Sequence, residues 1–80
     1  MNISILAFGI ARDIVGQSEF DFELVEGGTV GALKEDLVDR YPDFAKLVSF
    51  AIAVNGTYVT DEHVLGVKDE VVIIPPVSGG

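Results

Sequence analysis

Two segments of this chain are apolar on both faces, and they lie at its opposite ends. Residues 3–8 read ISILAF, and residues 71–74 read VVII, with Val71 and Ile73 on one side and Val72 and Ile74 on the other. A strand points alternate side chains to opposite faces, so a strand apolar on both is favoured in the interior of a sheet. The most economical arrangement sets the first and last strands side by side at the centre of one mixed sheet. Eighty residues bury only about 60 to 70% of their unfolded surface, enough for one core, so residues 1–80 are expected to form a single domain.

What lies between these strands fills in the rest. EFDFEL, residues 19–24, alternates strictly, with Phe20, Phe22 and Leu24 on one face and Glu19, Asp21 and Glu23 on the other, the pattern of a strand with one wet face. GIARDIVGQS, bounded by Gly9 and Gly16, reads as a broad loop. Further on, Gly27 and Gly28 turn the chain, Thr29 caps, and Val30, Leu33, Leu37 and Tyr41 recur at helical spacing until Pro42 stops the helix. Residues 44–50, with Phe44, Leu47 and Val48 on one side, predict a further turn or two of helix. AIAVNGTYVT predicts a hairpin, because Asn55 and Gly56 tolerate the positive φ of a type I′ turn. A hairpin, a helical crossover and strands returning to pair with the first make an α+β, β-grasp (ubiquitin-like) fold. Its mixed sheet has about four to five strands, with one main helix packed on one face, and the right-handed crossover rule selects its hand.

One helix leaves the other face of the sheet partly bare, and the composition agrees. Hydrophobic residues make up 49% of the chain and mean hydropathy is +0.44, yet no apolar run approaches the roughly 20 residues of a spanning helix. The expectation is a soluble protein with more apolar surface than one core needs, and the surplus marks a place where another protein docks. The formal charge of −8, from 13 acidic and 5 basic residues, repels phosphate backbones and anionic headgroups, which argues against nucleic acid and membrane partners. A basic protein surface is the better match. The chain has no cysteine, which removes disulfides, thiolate metal sites and persulfide chemistry. Its first residues lack the basic region of a signal peptide, so a cytoplasmic location is expected.

Few residues carry chemistry. His63 is the sole histidine and has no nucleophile in a recognisable motif beside it. The glycines are not followed by the lysine and hydroxyl residue of a phosphate loop. Asp61-Glu62 and Asp69-Glu70 lack the spacing of a calcium loop and read as solvated charges, so no metal or bound cofactor is expected. The closing PPVSGG is different. Pro75 and Pro76 fix φ and donate no hydrogen bond, which ends the strand and sends the chain off extended. Gly79 and Gly80 have no side chain, fit a narrow channel and leave a carboxylate unhindered. Residues 75–80 are thus expected to form a flexible tail. A carboxylate is a poor electrophile, so using it requires activation, for example as an acyl-adenylate made from ATP by another protein. Sulfide would then yield a thiocarboxylate, and a lysine amine an isopeptide.

FGIARDIVG (8–16), TVGALKEDL (29–37), AVNGTYV (53–59) and DEVVIIPPVSGG (69–80) together resemble the small subunit of molybdopterin synthase, a family of β-grasp sulfur carriers. The resemblance spans the whole chain, and its most specific part is PPVSGG. It implies that a ubiquitin-activating-type adenylating enzyme uses ATP on Gly80 and that a sulfur donor protein converts it to a thiocarboxylate. The tail then enters the large subunit of the synthase, which holds the active site. There the sulfur passes to cyclic pyranopterin monophosphate in molybdenum cofactor biosynthesis, two charged carriers being consumed per product. The assembly implied is an α2β2 heterotetramer in which this chain is a sulfur-donating, non-catalytic subunit.

For partner binding the resemblance implicates Phe8, Arg12, Tyr58 and Ile74 together with the tail residues Pro75, Pro76, Val77, Ser78 and Gly79. Where the family commonly has Gly-Asp-Glu before the last strand, this chain has Lys68-Asp69-Glu70. Either Gly66 supplies the turn's positive φ or the turn has another geometry. Three alternatives stay open on the residues alone: a carrier for thiamin thiazole synthesis, a ubiquitin-like protein modifier, and a β-grasp interaction module whose tail is idle.

Overall fold

The structure is a computed structural model that describes residues 1–47 and 50–75. Its five strands are β1 (Asn2–Ala7), β2 (Glu19–Glu23), β3 (Ala51–Val54), β4 (Thr57–Tyr58) and β5 (Glu70–Ile74). They form one mixed sheet in the order β2-β1-β5-β3-β4. The first and last strands lie side by side in its interior, parallel, with Ile5 opposite Val71 and Ala7 opposite Ile73. β2 runs antiparallel to β1, and β3 antiparallel to β5. This is the β-grasp arrangement that the two-faced apolar strands require.

One face of the sheet is the core. Ile3, Ile5, Ala7, Phe20, Phe22, Ile52, Val54, Val71 and Ile73 are buried there. Helix α2 (Val30–Arg40) lays Val30, Leu33 and Leu37 on them, all three withdrawn from water. The Thr29 Oγ1 accepts from the Ala32 N–H at 3.2 Å, as its place before the apolar spacing predicts. The next two free donors are satisfied from a distant loop. The Val30 N–H donates to the His63 carbonyl and the Gly31 N–H to the Asp61 carbonyl, both at 2.9 Å, so residues 61–63 complete the helix start. Pro42, expected only to end this helix, also opens a 3₁₀ turn over Pro42–Lys46. Proline suits a first helical position, where its missing N–H costs nothing. The predicted extra helix therefore lies earlier than residues 44–50; of that segment, Val48 and Ser49 are outside the described residues. Phe44 from this turn is buried and stacks edge-on against Tyr41, which in turn meets Phe20.

One expectation needs correction. The segment read as a broad loop is a second helix, α1 (Gly9–Val15), which buries Ala11. Its signals are atypical: the residue before it is Phe8, with no oxygen to cap the first turn, and its own first residue is a glycine at φ +54°. Gly16, at φ +91°, ends it by donating to the Arg12 carbonyl at 2.7 Å. The turn before β5 has the other geometry. Neither Gly66 nor Lys68 is among the described residues with positive φ. The turn closes instead through Asp69, whose N–H donates to the Gly66 carbonyl at 3.1 Å and whose Oδ2 accepts from the Gly66 N–H at 2.8 Å. Lysine at 68 therefore carries no backbone strain.

Candidate functional site

Because paired residues in neighbouring strands point to the same side, the register fixes what the second face of the sheet presents. Leu6 lies opposite Val72, Val72 opposite Ala53, and Ala53 opposite Tyr58. These four apolar residues make a line across β1, β5, β3 and β4. One row further along, Ile74 lies opposite Ala51, and Phe8 continues β1 in extended backbone beyond Ala7. Leu6, Val72, Ile74 and Ala51 are half-buried, while Tyr58 is 67% and Phe8 55% exposed. Both helices contribute to the core on the opposite face, so this row lies on the uncovered side of the sheet, although Ala53 within it is only 7% exposed. Beyond it, on β2, the same face turns acidic through Glu19, Asp21 and Glu23, Glu19 being paired with Leu6. The site is an apolar sheet surface with an acidic margin.

The residues singled out in the sequence fall around one end of this face. Phe8 and Tyr58 are surface residues and so are not core. Ile74 ends β5, and Pro75, half-buried, brings its Cγ within 3.7 Å of where a Cβ on Gly9 would stand. Arg12 is exposed on α1 and makes no ion pair among the described residues. Pro76, Val77, Ser78, Gly79 and Gly80 lie outside the described residues. Leu6, Val72 and Ala51 were not singled out, although each belongs to the face; the signal was there in strand parity, since Leu6 and Val72 occupy the second apolar side of the two central strands.

At the far end of the sheet the hairpin turn is tied to β5. Asn55 and Gly56 both have positive φ, 53° and 84°, as a type I′ turn demands. The Asn55 Nδ2 donates to Asp69 Oδ1 at 3.0 Å and its Oδ1 accepts from the Glu70 N–H at 2.9 Å. The Gly66 N–H, and then the Asn55 amide, hold the Asp69 carboxyl below the ordinary carboxylate range, against a small opposing effect of burial. Among the described residues no group of His, Asp and Glu is placed to hold a metal ion, and no helix is long and apolar enough to cross a membrane.

Comparison with known proteins bears on what such a face serves. Over 83 residues the chain is 35% identical to the molybdopterin synthase sulfur carrier subunit of Chlamydomonas reinhardtii, with all of both chains covered. Among solved structures it is similar to a Pyrococcus furiosus protein provisionally assigned as molybdopterin converting factor subunit 1, with a TM-score of 0.87 and 31% identity over 96% of this chain and 99% of that one. It shares its fold with one chain of the Helicobacter pylori complex of subunits 1 and 2 of molybdopterin-converting factor, at a TM-score of 0.67 and 22% identity, with all of both chains covered. A family model matches residues 5–80, and on that match the chain belongs to the ThiS family.

Proposed function

We propose that this chain is the sulfur carrier subunit of a molybdopterin synthase, with the carboxyl group of Gly80 as the carrying group. The observation that supports this best is the construction of β5. That strand is central to the sheet, its Val72 and Ile74 form the middle of the open apolar face, and it runs directly into Pro75. A partner that covers the face therefore takes hold of the same strand that leads to the tail, so docking and delivery are mechanically one event. The relatives' names support the same reading.

The chemistry follows from the carboxylate. One of its oxygens attacks the α-phosphate of ATP on an adenylating enzyme, pyrophosphate leaves, and an acyl-adenylate forms. Sulfide delivered by a donor protein displaces AMP and leaves a thiocarboxylate. The docked large subunit then receives the tail; the sulfur attacks a carbon of cyclic pyranopterin monophosphate, an oxygen substituent of that carbon leaves as the C–S bond forms, and water hydrolyses the resulting thioester at its acyl C–S bond, leaving the sulfur on the acceptor and restoring the carboxylate. The acceptor carries a phosphate, which a chain of charge −8 is poorly suited to bind; its pocket belongs on the partner, with this chain supplying the sulfur. The setting proposed is the cytoplasm.

The test is the intact mass of the protein purified under mild conditions from its own cells. A species in which one oxygen is exchanged for one sulfur, confined to the peptide ending at Gly80, is the expected result. Free carboxylate alone, even after incubation with the adenylating enzyme, ATP and a sulfur donor, would refute the carrier reading, and isopeptide conjugates on lysines would favour a protein modifier.

A further inference from the structure

The hairpin turn holds a reactive pair that sulfur carriage does not use. An asparagine followed by glycine loses its side-chain amide more readily than other asparagines, because the glycine nitrogen has no neighbouring side chain to keep it from the asparagine Cγ. Asn55-Gly56 is such a pair, and it is exposed to solvent. The chain's other asparagine, Asn2, precedes the β-branched Ile3, whose side chain hinders the same attack.

In the folded chain the Asn55 amide is held at both ends. Its nitrogen donates to Asp69 Oδ1 at 3.0 Å and its oxygen accepts from the Glu70 N–H at 2.9 Å, while the Asn55 backbone N–H donates to the Glu70 carbonyl at 2.9 Å. Asp69 is itself fixed by the Gly66 N–H at 2.8 Å. We propose that Asn55 is the deamidation site of this chain and that the Asp69 clamp is what keeps it intact.

The step balances without an oxidant. The Gly56 backbone nitrogen attacks Asn55 Cγ and loses its proton, the Cγ–Nδ2 bond breaks, and ammonia leaves a succinimide. Water then opens the ring to aspartate or isoaspartate, so one water enters for each ammonia lost. Attack requires Cγ to swing toward the Gly56 nitrogen, and it cannot do so while both amide atoms are bonded to the β5 side. Once the amide is lost the clamp does not re-form. A carboxylate would stand where Nδ2 had donated, facing the Asp69 oxygen across the same 3.0 Å, acceptor against acceptor and charge against like charge. Isoaspartate also adds a backbone methylene to a two-residue turn whose length sets Ala53 opposite Tyr58, so the modified chain loses the register that holds Tyr58 on the open face.

The experiment incubates the full chain at mildly alkaline pH, folded in buffer and unfolded in urea. Peptide mass mapping over residues 51–60 reads the conversion of amide to acid, and isoaspartate is quantified separately. The unfolded chain is expected to deamidate at Asn55 about tenfold or more faster than the folded one, the factor set by two hydrogen bonds. Asp69→Ala removes one of those two bonds and, with its fold checked by circular dichroism, should recover part of that speed in buffer. Asp69→Asn keeps the shape without the charge, should fall between the two, and decides the matter if the alanine variant does not fold. Equal rates at Asn55 in the folded wild type and both variants would overturn the clamp, and no loss of ammonia from the unfolded chain would overturn the site.

Discussion

Gly28→Ala should be among the costliest single-methyl additions this fold can receive. A Cβ at Gly28 would lie 2.8 Å from Leu24 Cγ, 2.9 Å from Leu24 Cδ2 and 2.9 Å from the Val25 carbonyl oxygen. Neither neighbour can yield easily. Leu24 is 2% exposed and belongs to the core cluster, while the Val25 oxygen is held in the turn by the Gly28 N–H at 3.0 Å. The Gly28 carbonyl is fixed too, accepting from the Leu65 N–H at 2.9 Å. Overpacking a rigid core site costs about 1 to 3 kcal/mol, offset by about 0.5 kcal/mol from the reduced freedom of the unfolded chain. A net loss of about 1.5 kcal/mol lowers the melting temperature of a domain this size by about 9 °C. Gly27→Ala is the matched control. Nothing lies within 4 Å of its Cβ position, but its φ of +76° makes alanine cost about 1 kcal/mol through the backbone alone. Thermal and urea unfolding followed by circular dichroism measure both. The reasoning fails if Gly28→Ala melts no lower than Gly27→Ala, since the packing around Leu24 would then have room to shift.

Tyr58→Ala removes a side chain that is 67% exposed, so the fold should keep its stability while affinity for the large subunit drops about thirtyfold, the scale of an aromatic interface anchor; thermal unfolding reads the first and calorimetric titration the second, and unchanged affinity would remove Tyr58 from the docking face. Asp69 should set an acid limb of stability. Its folded-state pKa lies below the ordinary 3.8, so its stabilisation is fully present above that value and is lost as pH falls through it toward the folded-state value. Asp69→Asn should therefore be less stable than wild type near neutral pH, with the gap closing below about pH 4. Urea midpoints across that range check the sign, and a gap independent of pH would mean that the charge of Asp69 does not hold the turn.

The sequence exposed those features whose cause is local or periodic. Helix α2 was legible because Thr29 caps it and Val30, Leu33 and Leu37 fall on one side, and the hairpin because Asn55-Gly56 itself supplies the φ angles that the turn uses. Helix α1 was not: seven residues give too little periodicity, and a start at Phe8 and Gly9 lacks a side-chain cap. The Asp69 turn was hidden for a different reason. Its closure needs a carboxylate and a clamp to Asn55 that is 14 residues away in sequence, so Asp69 looked like one more solvated charge.

The docking face stands between these cases, and its position explains what the chain does with its surplus of apolar residues. Parity along β1 and β5 requires two apolar faces, but only one can be covered by the helices that an 80-residue chain provides. Leu6, Val72 and Ile74 are left half-buried, and fully covering them would remove more apolar surface from water at about 25 cal/mol per Å². That uncollected stabilisation is available to a partner, and on the proposed docking a partner that covers Ile74 would stand where the chain continues into Pro75. An isolated interaction module would have no reason to put its stickiest strand immediately before a diproline and two glycines. The carrier proposed above does, since docking by that strand would bring the carrying end to the partner at no further cost in search.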